Sequence, residues 1–208
     1  MKIGITQRVE TNFSSGEVRD CLDQKWYELS NKFNFNLIQI PNRHNDIHLW
    51  LEDSGVEGFI LSGGNDLGFL KNPINASKDR DMTEINILNL AKKLNLPVLG
   101  ICRGIQMINH YFGGKLVPIK GHIRTKHHLK IKFPDNKISE KYVNSFHRWG
   151  IKNSSLGKNL VPFAWDKNGY IEAIMHPELK WRGLMWHPER MNDLDALDKE
   201  IILDLFSK

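Results

Sequence analysis

The chain has 208 residues, 40% of them hydrophobic and 25% charged, which suffices to bury a full core as one domain, and no apolar run approaches a bilayer span. A net charge of +5 and a pI near 9.1 raise the question of nucleic acid, but the cations are dispersed apart from one cluster and no helix-turn-helix, zinc-finger or RNA-binding signature accompanies them. Two cysteines, Cys21 and Cys102, are too few for a disulfide framework; with Met1–Thr6 too short and too soon polar for a signal peptide, the expected compartment is the reducing cytoplasm.

Ile3–Thr6 reads as a short apolar strand. Val18, Leu22, Trp26, Leu29 and Phe33 follow at helical spacing and predict a helix of about four turns, with Cys21 on its apolar side as a packing residue. Leu37–Ile40, closed by Pro41, predicts a second strand, Asp46–Leu51 a short helix, and Gly58–Leu61 a third strand entering the loop Ser62-Gly63-Gly64-Asn65-Asp66. Asp81 and Glu84 have capping-box spacing before the helical face of Ile85, Leu88, Ala91 and Leu94, which Pro97 ends. Val98–Ile101 is the fourth strand, and Ile105–Phe112 a helix stopped by Gly113-Gly114.

Strand-rich segments follow: Leu129–Phe133, Lys141–Asn144, Leu160–Trp165, a hairpin turn at Asp166–Gly169, Tyr170–Met175, and Arg182–Trp186 running into His187. Leu194, Leu197, Ile201 and Leu205 mark a closing helix. Near-continuous apolar strands alternating with amphipathic helices imply a parallel sheet covered on both faces. The expected fold is a doubly wound α/β domain of flavodoxin-like type, with a mainly parallel central sheet and a small antiparallel strand extension.

Gly100-Ile101-Cys102-Arg103-Gly104 joins an apolar strand to a helix through a glycine-flanked turn, the pattern of a nucleophile elbow. A thiol at a helix N-terminus is drawn toward thiolate by the macrodipole and the unpaired N–H groups, and Arg103 adds a candidate cation. A buried cysteine in such a turn is also an ordinary small core residue, so the motif needs partners. Met185-Trp186-His187-Pro188-Glu189 places a histidine just past another strand with a carboxylate two residues on. Ligands of open α/β sheets bind beyond the carboxyl ends of the strands, where Cys102 and His187 can meet. The imidazole would take the thiol proton and Glu189 would fix its tautomer. Gly63 or Gly64, together with Arg103, could supply oxyanion donors, although Gly-Gly-Asn-Asp also serves as an ordinary tight turn.

The basic cluster Lys120, His122, Arg124, Lys126, His127, His128, Lys130 and Lys132 reads as a solvated strand edge or as a site for an anionic small molecule. Its histidines lack helical spacing or an evident carboxylate companion, so no metal is expected, nor any cofactor.

Gly-Ile-Cys-Arg-Gly-Ile-Gln, the Ser-Gly-Gly-Asn-Asp loop, Val-Asn-Ser-Phe-His at 143–147 and Trp-His-Pro-Glu at 186–189 together resemble the class I glutamine amidotransferase-like superfamily, in its branch of free-standing γ-glutamyl hydrolases. The resemblance covers nearly the whole chain, 1–208, as a single domain. It implies a triad of Cys102, His187 and Glu189, a thioester on Cys102, and an oxyanion hole from Gly63 or Gly64 and the Arg103 N–H. It further implies substrate contacts from Gln106, Asn144, Ser145 and His147. Hydrolases of γ-glutamyl-γ-aminobutyrate often carry two consecutive histidines where this chain has His147-Arg148-Trp149, which leaves the amine open. Arg124, Lys126 and Arg148 are candidate contacts to an anionic leaving group. The expected partner is a small-molecule γ-glutamyl substrate, without nucleic acid or membrane, and an oligomer is left open. A glutaminase subunit feeding ammonia to a synthetase would share every catalytic residue, and a binding module of the same fold would need none of them.

Overall fold

The structure, a computed structural model, describes residues 1–44, 46–132 and 137–207. In chain order the first half contains β1 (Lys2–Thr6), β2 (Arg8–Asn12), β3 (Glu17–Cys21), α1 (Lys25–Phe33), β4 (Asn36–Ile40), α2 (Ile47–Ser54), β5 (Gly58–Leu61), α3 (Lys78–Leu94), β6 (Val98–Ile101) and α4 (Arg103–Tyr111). The second contains β7 (Val117–Pro118), β8 (Ile123–Lys132), β9 (Ile138–Phe146), β10 (Trp149–Gly150), β11 (Val161–Asp166), β12 (Ile171–Met175), β13 (Trp181–Leu184) and α5 (Ala196–Phe206), with 3-10 turns at Asn153–Ser155 and Pro188–Arg190.

Among the described residues, nine strands form one sheet in the order β4-β1-β5-β6-β13-β12-β11-β8-β9. The run from β4 to β13 is parallel, and β12, β11, β8 and β9 extend it antiparallel. The expected doubly wound architecture is thus present. Every residue of β5 and β6 is buried, because helices cover both faces. Ile60, Leu99 and Ile101 face a core shared with Trp26 and Leu29 of α1 and Ile202 and Phe206 of α5. Phe59, Leu61 and Val98 face Ile87 and Leu88 of α3 and Ile105 and Ile108 of α4. Each such side chain contributes about 1.5–3 kcal/mol by leaving water.

Two glycines set the approach of α4 to the sheet. A Cβ on Gly104 would lie 2.2 Å from the Leu61 carbonyl oxygen, and one on Gly100 would lie 2.6 Å from the Gly104 carbonyl carbon. Only bare backbone permits this closeness, and it brings the first turn of α4 directly over the ends of β5 and β6.

Several expectations are corrected. Val18 and Leu22 are not on a helix: β2 pairs with β3 through a turn in which Gly16 takes φ +72°, and α1 begins only at Lys25. The hairpin stands off the main sheet, so the apolar spacing there has no core to face and Val18 is exposed. Cys21 accordingly lies at the end of β3. The cap of α3 is Ser77, whose Oγ accepts from the Arg80 N–H, while Asp81 and Glu84 turn inward to ion pairs. Strands β8 and β9 are longer than expected, and the expected strand end at Phe133 lies outside the described residues. The last parallel strand stops at Leu184, two residues short of Trp186.

Candidate active site

Cys102 occupies the position between β6 and α4 with φ +54° and ψ −100°, a conformation that a non-glycine residue holds only when its surroundings impose it. Its N–H donates to the Leu184 carbonyl at 2.7 Å, which ties the elbow to the end of β13. That same strand end delivers His187. The Nδ1 of His187 meets Glu189 Oε1 at 2.7 Å, and its Nε2 is buried without a hydrogen-bond partner. All three side chains are buried. Gly63 sits between them: a Cβ there would come within 2.8 Å of His187 Cε1 and 3.5 Å of Cys102 Cβ.

The electrostatics follow from this placement. Burial alone would raise the Cys102 thiol, but the His187 imidazolium, and after it His147, outweigh burial and the Glu189 charge, and bring the thiol below its usual value. Burial would likewise lower His187, yet Glu189 first and Cys102 second lift it to about 10. The thiol is lowered and the imidazole raised, the directions that favour proton transfer from Cys102 to His187.

Arg103 departs from one expectation. Its guanidinium pairs with Asp81 and Glu84, and so does not act on the Cys102 sulfur. Only its backbone N–H, in the first turn of α4 where no intrahelical acceptor exists, remains suited to an oxyanion. The glycine loop is held by a residue that sequence reasoning missed. Arg80, fully buried, donates to the carbonyls of Ser62 at 2.6 Å, Gly63 at 3.1 Å and Gly64 at 2.8 Å, and pairs with Glu84 at 3.0 Å. Burial and the nearby Arg103 bring Arg80 down to about 10, so it stays charged at neutral pH. Replacing Arg80 with methionine would strand three carbonyls; the expected loss is about 3–5 kcal/mol in urea unfolding at pH 7.

A cleft of about 570 Å³ opens beside Cys102, within the range of small-molecule sites. Gly64, Gln106, Arg124, His147 and Arg148 border it; Lys126 does not. Arg148 is paired with Asp66 across the rim. Two larger hollows, one against α5 and one beside Phe69 and His110, hold none of the triad residues.

Asn144 and Ser145, expected at the substrate, are turned into the protein. The Asn144 amide donates to the His187 carbonyl at 2.9 Å and its Oδ1 accepts from the His187 N–H at 2.8 Å, clamping the His187 backbone. Ser145 Oγ donates to the His122 carbonyl. His147 borders the cleft, but its Nδ1 meets the Trp149 carbonyl at 3.0 Å and its Nε2 points to Glu172. The histidines of the basic cluster also differ from a solvated edge. His122 is buried and His127 partly so, both beside Glu172, while His128 alone of the three is exposed and lies against the Tyr142 ring.

The chain is 39% identical over 209 aligned residues to the γ-glutamyl-CDP-amidate hydrolase of Campylobacter jejuni, covering 100% of this chain and 98% of that protein. It is 32% identical over 175 aligned residues to a glutamine amidotransferase-like protein of Lactococcus lactis, covering 70% of this chain and 71% of that one. A glutamine amidotransferase structure from Thermotoga maritima shares the fold, with a TM-score of 0.66 at 16% identity, over 98% of this chain and 80% of that one. Among the described residues no helix is long and apolar enough to cross a membrane. The Peptidase C26 family model matches residues 2–189, a span that takes in the elbow, the glycine loop and the His187-Pro188-Glu189 turn, and the chain belongs to that family.

Proposed function

We propose that this protein, residues 1–208 acting as one class I glutamine amidotransferase-like domain, is a cysteine-nucleophile hydrolase of γ-glutamyl amides. The observation that carries the reading is the convergence of a strained Cys102 elbow with a buried His187 whose Nε2 is free and whose Nδ1 is held by Glu189. The Cys102 thiolate attacks the γ-carbonyl carbon. The developing oxyanion is met by the Arg103 N–H and by Gly63 or Gly64, of which Gly64 borders the cleft. The His187 imidazolium then protonates the departing nitrogen, leaving a glutamyl thioester and free amine. Water, deprotonated by the now neutral His187, attacks the thioester and releases glutamate and the thiolate. Gln106, on the cleft wall, is the candidate contact to the glutamyl group.

The substrate reading follows the full-length similarity to the Campylobacter protein: γ-glutamyl-CDP-amidate, cleaved to glutamate and cytidine diphosphoramidate for phosphoramidate decoration of a capsule. Arg124 on the rim is a cation suited to a diphosphate, whereas Arg148 is already paired with Asp66 and Lys126 lies off the cleft. The test measures glutamate release from γ-glutamyl-CDP-amidate, γ-glutamyl-γ-aminobutyrate and glutamine. Brisk, partner-free cleavage of the first, with KM raised about tenfold in Arg124→Gln through loss of a charge-assisted contact, is the expected result. Glutamine hydrolysis that needs an added synthetase would replace this reading with that of an ammonia-delivering subunit.

A further inference from the structure

Behind the cleft wall, three segments bring acceptor atoms together around one carboxylate. His122 precedes β8, His147 follows β9, and Glu172 lies on β12; they are 5%, 3% and 1% exposed. Glu172 Oε1 lies 3.5 Å from His147 Nε2 and 3.7 Å from His122 Nδ1, and Oε2 lies 3.6 Å from His127 Nε2. None of these five buried atoms has a hydrogen-bond partner. Leaving such groups unpaired in a low-dielectric interior is costly, and here the unpaired atoms face one another.

The second nitrogens of two rings decide what faces inward. His147 Nδ1 lies 3.0 Å from the Trp149 carbonyl, which can only accept, so Nδ1 carries a hydrogen and it is Nε2 that gives up its proton to offer a lone pair toward Glu172 when the ring is neutral. His122 Nε2 lies 3.3 Å from Asp166 Oδ2, which leaves Nδ1 as its lone-pair nitrogen. Asp166 is itself fixed, its Oδ1 accepting from the N–H groups of Asn168 and Tyr170. Two imidazoles oriented by a carbonyl and a carboxylate, with free nitrogens turned to a third ligand, form the outer shell expected around a metal. One added proton would satisfy a single contact and leave the others unmet.

We propose that His122, His147 and Glu172 bind a divalent cation of the zinc class, with His127 available as a fourth ligand. The ligand atoms of His122, His147 and Glu172 lie within 4.8 Å of one another. Tetrahedral zinc with nitrogen and oxygen ligands about 2.0–2.1 Å away places neighbouring ligands roughly 3.3–3.4 Å apart, a few tenths closer than the two Glu172 approaches. Cys102 is not a ligand, so the ion is structural. It ties β12 to the ends of β8 and β9, which carry Ile123, Arg124, Phe146 and Arg148 to the cleft.

The experiment uses the full chain carrying Cys102→Ala, so that the nucleophile cannot ligate, stripped with chelator and titrated with Zn2+ alone by calorimetry. One ion per chain is expected, with affinity falling about 100-fold or more in Glu172→Gln and in His122→Asn. X-ray absorption of the zinc-loaded native chain gives a second readout that needs no variant: a shell of nitrogen and oxygen with imidazole scattering supports the site. No saturable ion, binding unchanged in both folded variants, or a sulfur-containing shell would overturn it.

Discussion

Cys102→Ala is expected to lower γ-glutamyl amide turnover by a factor on the order of 10⁶, the scale of removing a nucleophile from a triad that acts as a unit. Gly100 and Gly104 let α4 approach β6 and β5 to within backbone contact, and the connection between strand and helix forces Cys102 to φ +54°. That geometry lifts the sulfur to the N-terminus of α4, beside His187. The thiol is lowered despite burial, because the His187 imidazolium outweighs the opposing Glu189 charge. Alanine keeps the backbone and removes only a small buried group, so the fold should persist at a cost of about 1 kcal/mol or less. The measurement is glutamate release alongside a thermal melt, with intact mass to trap a glutamyl adduct on the native chain. Turnover within tenfold of native in a folded variant would remove Cys102 from the proposed mechanism.

Glu189→Gln is expected to reduce kcat by about 10⁴, less than loss of the nucleophile, because the remaining groups still bind and polarise substrate. Glu189 Oε1 accepts from His187 Nδ1 at 2.7 Å, and Asn144 clamps the His187 backbone from the other side. The carboxylate is one cause of the rise of His187 to about 10. Without it the imidazolium is less stable and His187 falls. Removing the Glu189 charge also relieves its opposition to the thiolate, so the Cys102 thiol does not rise. The basic limb of kcat/KM, where the imidazolium gives up its proton, should therefore shift downward in the variant; a basic limb left in place or shifted upward would refute the role given to Glu189.

What was legible in the sequence was local. β5 and β6 were readable to the residue because fully buried parallel strands appear as uninterrupted apolar runs, bounded here by Pro97 and by glycines. The elbow and the His187-Pro188-Glu189 turn were readable because their chemistry lies within five residues. The spacing of Val18, Leu22 and Trp26 suggests one helix, but Val18 is exposed on a hairpin outside the main sheet, whereas Leu22 and Trp26 pack on the core from the connection after β3 and from α1.

Tertiary structure decided the rest. Arg80 is an arginine inside an amphipathic helix until α3 packs on the sheet, where it meets the carbonyls of a loop some sixteen residues away. Asp81 and Glu84 have the spacing of a cap, yet the buried cation of Arg103 is a stronger partner than exposed backbone N–H groups. Asn144 became the clamp of His187, and His122, His147 and Glu172 became neighbours, only because β8, β9, β11 and β12 pair in one register. The sequence by itself determined the parallel core and singled out Cys102 and His187 as candidate nucleophile and base, since these follow from short-range pattern and strand ends. Which polar groups face the substrate and which hold the site together depends on long-range pairing, and that appears only when the sheet is assembled.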